Sequence, residues 1–465
     1  MSAPILWIVL PLAIAGLLVL LRDQKAVSLI ACLVTLFLAL AAWLLPIDST
    51  LTIGGWSFKL APSLEVLGRH LTLTSADRSF LALMYGSVLF WFIPAVTIKT
   101  TNHLIPLGLA ITSLLVASLA VEPFLYAALL IEIAVLLSIP ILLPPGHKPS
   151  KGLIRFLIFQ TLAMPFILFS GWLLAGIEAN PGDLGLVQQA TMLLGLGFAF
   201  LLAVFPFYTW IPMLAEEAHP YAAGFMLWML PTATMFFGLG FLDRYTWLRD
   251  APTLGIALTT VGTLMVASGG ILSAFQRHLG RMMGYAVIVE TGYSLLALSL
   301  GNRIGVGVFL LLLIPRTLSL GIWALTLSIL KGRAPKLDID DVRGLGRSWP
   351  FAALGLILAN LALAGMPLLA GFPAHQAVWE GLARVSLPIT IWALAGSLGL
   401  FISAVRVLAA LAKTPEGTTW ASQETRPQRF FLTLGALALL LLGLFPQWVL
   451  PLWTKLPAIF SHLGQ

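Results

Sequence analysis

The sequence predicts an all-α polytopic membrane protein, with about fourteen transmembrane helices at roughly 17–25 residues per crossing. Three observations carry this. Of 465 residues, 59 % are apolar and 10 % charged, against roughly 25 % charged in a soluble domain. The apolar residues come in runs of about 20, the length that crosses a bilayer core. The basic residues gather in the short stretches between runs, where they act as topology signals. Backbone groups in lipid must be satisfied within their own segment, so these runs read as helices. Barrel strands would instead alternate over roughly 10 residues.

The spans fall near 4–21, 26–45, 80–96, 103–120, 124–143, 153–177, 187–210, 221–242, 253–275, 282–300, 304–330, 350–369, 387–412 and 430–452. The longest polar stretches are 46–76, 331–348 and 413–429. No soluble domain is expected. With the N-terminus placed outside, the cytoplasmic loops hold most of the Lys and Arg, including Arg22, Lys25, Lys148, Lys151, Arg277, Arg281, Lys331, Arg333, Lys336 and Arg343. The opposite loops hold fewer, including Lys59, Arg69, Arg244 and Arg249. This bias places both termini outside. The first helix has no basic n-region and no clear cleavage site, so it is expected to be retained.

The net charge of +7 is small for the length, which argues for topology rather than nucleic-acid binding. The one cysteine, Cys32, excludes disulfides and Cys-based metal or iron–sulfur sites. There is no phosphate-binding Gly-rich loop and no His/Glu cluster at metal spacing. No Ser/His/Asp set is recognisable, though sequence order alone does not exclude one. Isolated glycines fit close helix packing.

Two helices read as broken. Pro206 and Pro212 interrupt the end of the seventh span, and Pro367 and Pro373, with Gly365 and Gly371, interrupt the twelfth. Broken helices at membrane depth are tolerated where they are buried in protein or line a cavity. Two of them five spans apart suggest an internal repeat, as in inverted-repeat transporters. The alternative is that prolines are simply commoner in membrane helices.

Charges at membrane depth cost about 2.5–3.5 kcal/mol on insertion scales, so each needs a partner or a water path. Glu132 sits mid-span with no charged neighbour in sequence, either as a hydrogen-bonded structural residue or as a proton carrier. Glu290 lies well inside the tenth span, Arg316 inside the eleventh, and His375 just past the second break. His titrates nearest neutrality, which suits a proton relay, but a lone His also packs as a hydrogen-bonded residue. Glu380 and Arg384 have the favourable i,i+4 order and can neutralise each other. Arg406 is placed to snorkel. Glu216, Glu217 and His219 follow the first break, where a solvated loop is the plain alternative.

Five segments together resemble one family: the antiporter-like proton-channel subunits of complex I (proton-pumping NADH:quinone oxidoreductase), shared with Mrp-type cation/proton antiporters and membrane-bound hydrogenases. They are Gly54-Gly-Trp56 with Asp77, Phe205-Pro-Phe-Tyr-Thr-Trp-Ile-Pro212, Leu279-Gly-Arg-Met-Met-Gly-Tyr285, Asp338-Ile-Asp-Asp-Val-Arg-Gly-Leu345 and Ala364-Gly-Met-Pro-Leu-Leu-Ala-Gly-Phe372. The resemblance runs from about Gly54 to Arg406. It implies two inverted five-helix repeats and a central chain of proton-carrying residues. The implied organisation is N-terminal helices and outer loop at 1–98, repeats at 99–245 and 246–412, and a C-terminal loop and helix at 413–465. By position, Glu132 matches the fifth-helix glutamate, Glu217 the acidic residue after the Trp-Pro motif, and His375 the Lys or Glu of the broken twelfth helix. The chain departs where the family's seventh- and eighth-helix lysines fall near Leu201 and Thr232, and where its tenth- and eleventh-helix histidines become Glu290 and roughly Arg316.

The expectation is therefore a non-catalytic membrane-arm subunit of a redox-driven proton pump, multi-pass in a bacterial inner membrane. It would bind no cofactor or metal itself and would act with other membrane subunits, lipid and protons. Glu132, Glu290, Arg316 and His375 would carry protons, with Glu217, Glu380 and Arg384 in support. The alternatives are a structural paralogue that no longer pumps, or a subunit of a non-redox cation/proton antiporter or ion-coupled uptake system.

Overall fold

The computed structural model describes residues 2–21, 23–53, 56–66, 68–98, 103–143, 146, 148–179, 183–413, 420–448 and 456–463. Of the motif segments, Gly54 and Gly55 lie outside these. The helices are α1 (Ile5–Leu20), α2 (Gln24–Leu44), α3 (Arg78–Ala95), α4 (Leu104–Ala120), α5 (Ala127–Leu142) and α6 (Lys151–Ala179). Then come α7 (Leu184–Leu201), α8 (Trp210–Glu217), α9 (Pro220–Arg244), α10 (Thr246–Arg249), α11 (Pro252–Phe275) and α12 (Leu279–Ser299). The last are α13 (Asn302–Lys331), α14 (Pro350–Leu363), α15 (Phe372–Val385), α16 (Leu387–Ala412) and α17 (Arg426–Leu444). Among the described residues eleven helices are long and apolar enough to cross a membrane, and α1, α4 and α14 are shorter apolar helices. This agrees with the expected all-α polytopic fold.

The packing is repetitive. Within α4–α9, α4 meets α5 and α9, α6 meets α5, α7 and α8, and α9 meets α5, α7 and α8. The same pairs recur within α11–α16: α11 meets α12 and α16, α13 meets α12, α14 and α15, and α16 meets α12, α14 and α15. With the broken pairs α7–α8 and α14–α15 each taken as one span, this recurrence is consistent with the expected pair of inverted five-helix units. The units join where α8 and α9 pack on α12 and α9 packs on α13.

Polar side chains at the membrane faces mostly finish helices. The last carbonyls of a helix have no intrahelical partner and attract cations. Arg78 donates to Ala42 O at 3.1 Å and Trp43 O at 2.6 Å, closing α2. Arg406 does the same for α11, donating to the carbonyls of Ala274 and of Gln276, the latter at 3.0 Å. Its placement in sequence suggests snorkelling to the interface, but its guanidinium is held by these carbonyls. At helix starts, Glu424 accepts from the Phe351 and Ala352 N–H groups of α14. Asp243 anchors the tail by accepting from the Ser461, His462 and Leu463 N–H groups.

The stretch 46–76 is more ordered than a polar excursion suggests. β1 (Thr50–Ile53) pairs antiparallel with β2 (Trp56–Lys59). β3 (Ser63–Val66) pairs with β4 (Arg69–Thr72), which also pairs with β5 (Val121–Glu122).

Candidate functional site

Both expected breaks are present. The first lies between α7 and α8, where Ala203 takes a positive φ of 49°. Pro212 is not part of it, because it sits in the first turn of α8, where a missing N–H costs no helical bond. The second lies between α14 and α15. There Gly365 has φ 72°, and a Cβ on it would meet His375 Cβ and Cγ at 3.0 Å. Glycine is needed there both for the left-handed backbone and for the room it leaves the imidazole.

The second break gathers three ionisable groups. Glu290 on α12, Arg316 on α13 and His375 on α15 are each 1 % exposed. His375 Nε2 lies 3.5 Å from Glu290 Oε1. Arg316 donates through Nη2 to Thr291 Oγ1 at 3.4 Å, within electrostatic reach of Glu290. Its Nε and Nη1, with Glu290 Oε1 and His375 Nε2, have no hydrogen-bond partner. Buried polar groups are rarely left so.

The orientation of His375 is fixed. Its Nδ1 lies 2.8 Å from the Gly371 carbonyl. A carbonyl oxygen only accepts, so Nδ1 carries the hydrogen and the free lone pair of a neutral ring is on Nε2, facing Glu290. Tyr293 packs edge-on against the imidazole, with ring centroids 4.3 Å apart. Its hydroxyl is held by Ser397 at 2.7 Å and by the Trp379 indole N–H, which donates at 2.9 Å. Tyr293 and Trp379 escape a sequence reading that looks only for charges. Their signal is a hydroxyl and an indole one helical turn from Glu290 and His375 respectively.

The first break carries no such cluster. Leu201 is buried, and Thr232 spends its hydroxyl on the Trp228 carbonyl at 2.7 Å. The broken end of α7 is met by a neutral amide, as Gln160 donates to the Leu201 carbonyl at 3.1 Å. Glu132 is not part of this interior. It is half-buried on α5 and accepts from Thr161 Oγ1 at 2.7 Å.

The supporting residues have local roles. Glu217 Oε2 accepts from the Gly152 N–H at 2.7 Å, capping the start of α6. Glu217→Ala is expected to lose about 1 kcal/mol, the value of an N-cap, seen as a small drop in melting temperature with transport unchanged. Glu216 pairs with Arg281 at 3.5 Å, and His219 caps α9 by accepting from the Tyr221 N–H. His278 likewise caps α12, and burial pushes its imidazole below the ordinary value, which keeps the capping lone pair available. The expected Glu380–Arg384 pair does not form. Both side chains are exposed, and Glu380 accepts from Gln376 at 2.7 Å instead.

Comparison with known proteins agrees with this architecture. Residues 174–403 match the family described as NADH:quinone oxidoreductase/Mrp antiporter, transmembrane. The chain is 25 % identical to NADH-quinone oxidoreductase subunit N of Gemmatimonas aurantiaca, over 66 % of this chain and 62 % of that one. It is 28 % identical to NADH-quinone oxidoreductase subunit 14 of Thermus thermophilus, over 68 % and 72 %. The match thus spans about three-fifths of the first relative's length. Among solved structures, a chain of respiratory complex I from Thermus thermophilus superposes with a TM-score of 0.77 at 21 % identity, covering 99 % of this chain and all of that one. A chain of the Mrp complex from Dietzia superposes with a TM-score of 0.80 at 16 % identity, covering 99 % and 97 %. Residues 174–403, just under half of the chain, thus belong to the transmembrane family shared by NADH:quinone oxidoreductases and Mrp antiporters, and the superpositions show that the chain has the same fold.

Proposed function

We propose that this chain is a membrane-arm subunit of a complex-I-like redox-driven proton pump, moving protons through its second repeat. The observation that carries this reading is the meeting of Glu290, Arg316 and His375 at the second helix break. A bare Nε2 lone pair and a bare carboxylate oxygen repel each other in a dry interior. A proton on Glu290 as a carboxylic acid or on His375 as an imidazolium relieves that repulsion, and when the proton leaves, the carboxylate has Arg316 as its counter-charge. Arg316 supplies a fixed positive charge beside it. Electrostatic input from neighbouring subunits that moves the proton from one group to the other would set the direction of release. The redox chemistry would take place in other subunits, and this chain would carry no cofactor.

Glu132 supports a multi-subunit setting. A half-exposed carboxyl in mid-span is costly against lipid, so the α5–α6 face that carries it is assigned to a neighbouring membrane subunit. Glu217, Glu380 and Arg384 are left out of the pathway. The setting that fits the bacterial relatives is a bacterial inner membrane.

A second reading, a subunit of a non-redox cation/proton antiporter, is favoured by the close superposition on the Mrp complex chain. Purification through an affinity tag on this chain separates the two. Co-purifying quinone-reducing activity that acidifies vesicles supports the first reading. A complex with no redox subunit, able to exchange a cation for protons, replaces it with the second.

A further inference from the structure

We propose that the groove between α2, α3 and α13 holds one anionic phospholipid of the outer leaflet, with its phosphate on Arg78 and an acyl chain along α3. Two cavities adjoin there. The first, about 450 Å³, lies at the start of α3 and has Trp43, Ser75, Arg78 and Ser79 among its walls. The second, about 420 Å³, shares Trp43 and Ser79 with the first and continues between α3 and α13 as far as Phe90 and Leu318. Both are of the size that small molecules occupy.

The chemistry changes along this groove as it does along an amphiphile. At the start stand a guanidinium and two serines. Arg78 spends Nε and Nη2 on the carbonyls that end α2, but a guanidinium has five N–H groups in a fork that matches phosphate. Among the described residues no carboxylate pairs with it. The neighbouring Asp77 turns its carboxylate to the Thr74 N–H and hydroxyl instead. Basic sites between membrane helices bind anionic head groups for this reason. Past Ser79 the walls become mainly apolar, with Leu40, Leu83, Ile314 and Leu318. Midway lies Gly86, where a Cβ would meet nothing within 4 Å.

The dimensions agree. From Ser79 to Phe90 the helix rises about 16 Å at 1.5 Å per residue, the depth of one leaflet in a hydrocarbon core about 30 Å thick. The charge bias of the loops puts the 46–76 stretch outside, so this leaflet is the outer one. Trp43, half-exposed at the mouth, sits at the head-group level where indole rings gather. The chain's own tail closes the same site, with Ala458 in the wall of the first cavity and Leu456 in that of the second. A neighbouring apolar helix would leave the guanidinium unanswered. A phosphate satisfies it, and the acyl chain fills the slot below.

The test is photolabelling of the purified assembly in vesicles of phosphatidylcholine, doped with either phosphatidylglycerol or phosphatidylcholine that carries a diazirine in its acyl chain. Adducts at Phe90 and Leu318 are compared by mass spectrometry with those at Phe37, 53 % exposed on α2. The groove is expected to prefer phosphatidylglycerol by about tenfold, the worth of one hydrogen bond to a charged group, and Phe37 to show no preference. Arg78→Gln should abolish the preference and Arg78→Lys retain most of it. Because a ratio is read, a fall in abundance does not mimic this result. Gly86→Leu should remove the groove adducts at an unchanged melting temperature, since its side chain enters open space. Groove labelling without head-group preference means bulk lipid only, and no groove labelling means that a neighbouring subunit covers it. Either result overturns the site, as does Gly86→Leu labelling like the wild type.

Discussion

Replacing Glu290 by leucine is expected to cost about 3–5 kcal/mol of stability, the penalty for stranding one partner of a buried ionic group. The stranded partner is Arg316, 1 % exposed, with one weak hydrogen bond to Thr291. The companion Arg316→Met in the same chain removes the uncompensated charge and should recover most of the loss, since apolar replacement of a buried pair is often neutral. Glu290→Gln keeps the shape and a dipole and should cost less. Thermal aggregation of detergent-purified protein reads all of these. If Glu290→Leu melts with the wild type and Arg316→Met adds nothing, Glu290 is not what compensates Arg316.

The second large effect is expected from Gly396→Leu. Helices α11 and α16 touch through their backbones. A Cβ at Gly396 would lie 2.3 Å from the Val266 carbonyl oxygen, one at Gly399 would lie 2.2 Å from that of Gly270, and one at Gly270 would lie 2.0 Å from that of Gly396. Backbone cannot rotate away as a side chain can, so a leucine must separate the helices. Overpacking typically costs about 1–3 kcal/mol, occasionally more, and a clash with backbone belongs at the upper end. The variant should fall several-fold or more in membrane abundance. Gly195→Leu is the control, because a Cβ there meets nothing within 4 Å and should leave abundance unchanged. Equal abundance of the two variants contradicts the close crossing.

The sequence carried the architecture well for a physical reason. A membrane helix announces itself by a long apolar run, and lipid permits few alternatives. The first break is legible in Pro206 and the second in Pro367 with Gly365 and Gly371, although Pro212 is compatible with the start of α8 and interrupts nothing. The hairpins at 50–72 are easily passed over beside the long apolar runs. The alternation of Thr50-Leu-Thr-Ile53 and Trp56-Ser-Phe-Lys59 around two glycines is nevertheless a hairpin signal.

The site is legible only in part. Glu290, Arg316 and His375 stand out as charges in apolar runs, but their sequence separation does not reveal that they meet. Glu132 reads identically to Glu290 along the chain. One faces outward toward Thr161 and the other inward toward His375, a difference set by helix rotation. Likewise the i,i+4 order of Glu380 and Arg384 permits a pair but does not enforce it, and Gln376 one turn earlier takes the carboxylate.

The central claim is that the proton held between Glu290 and His375 is the one transported. It is tested most directly by counting protons moved per donor oxidised in vesicles reconstituted with the complex carrying Glu290→Gln or His375→Ala. Each is expected to lower that ratio while the assembled complex retains its full set of subunits. Wild-type ratios in both variants would contradict the claim.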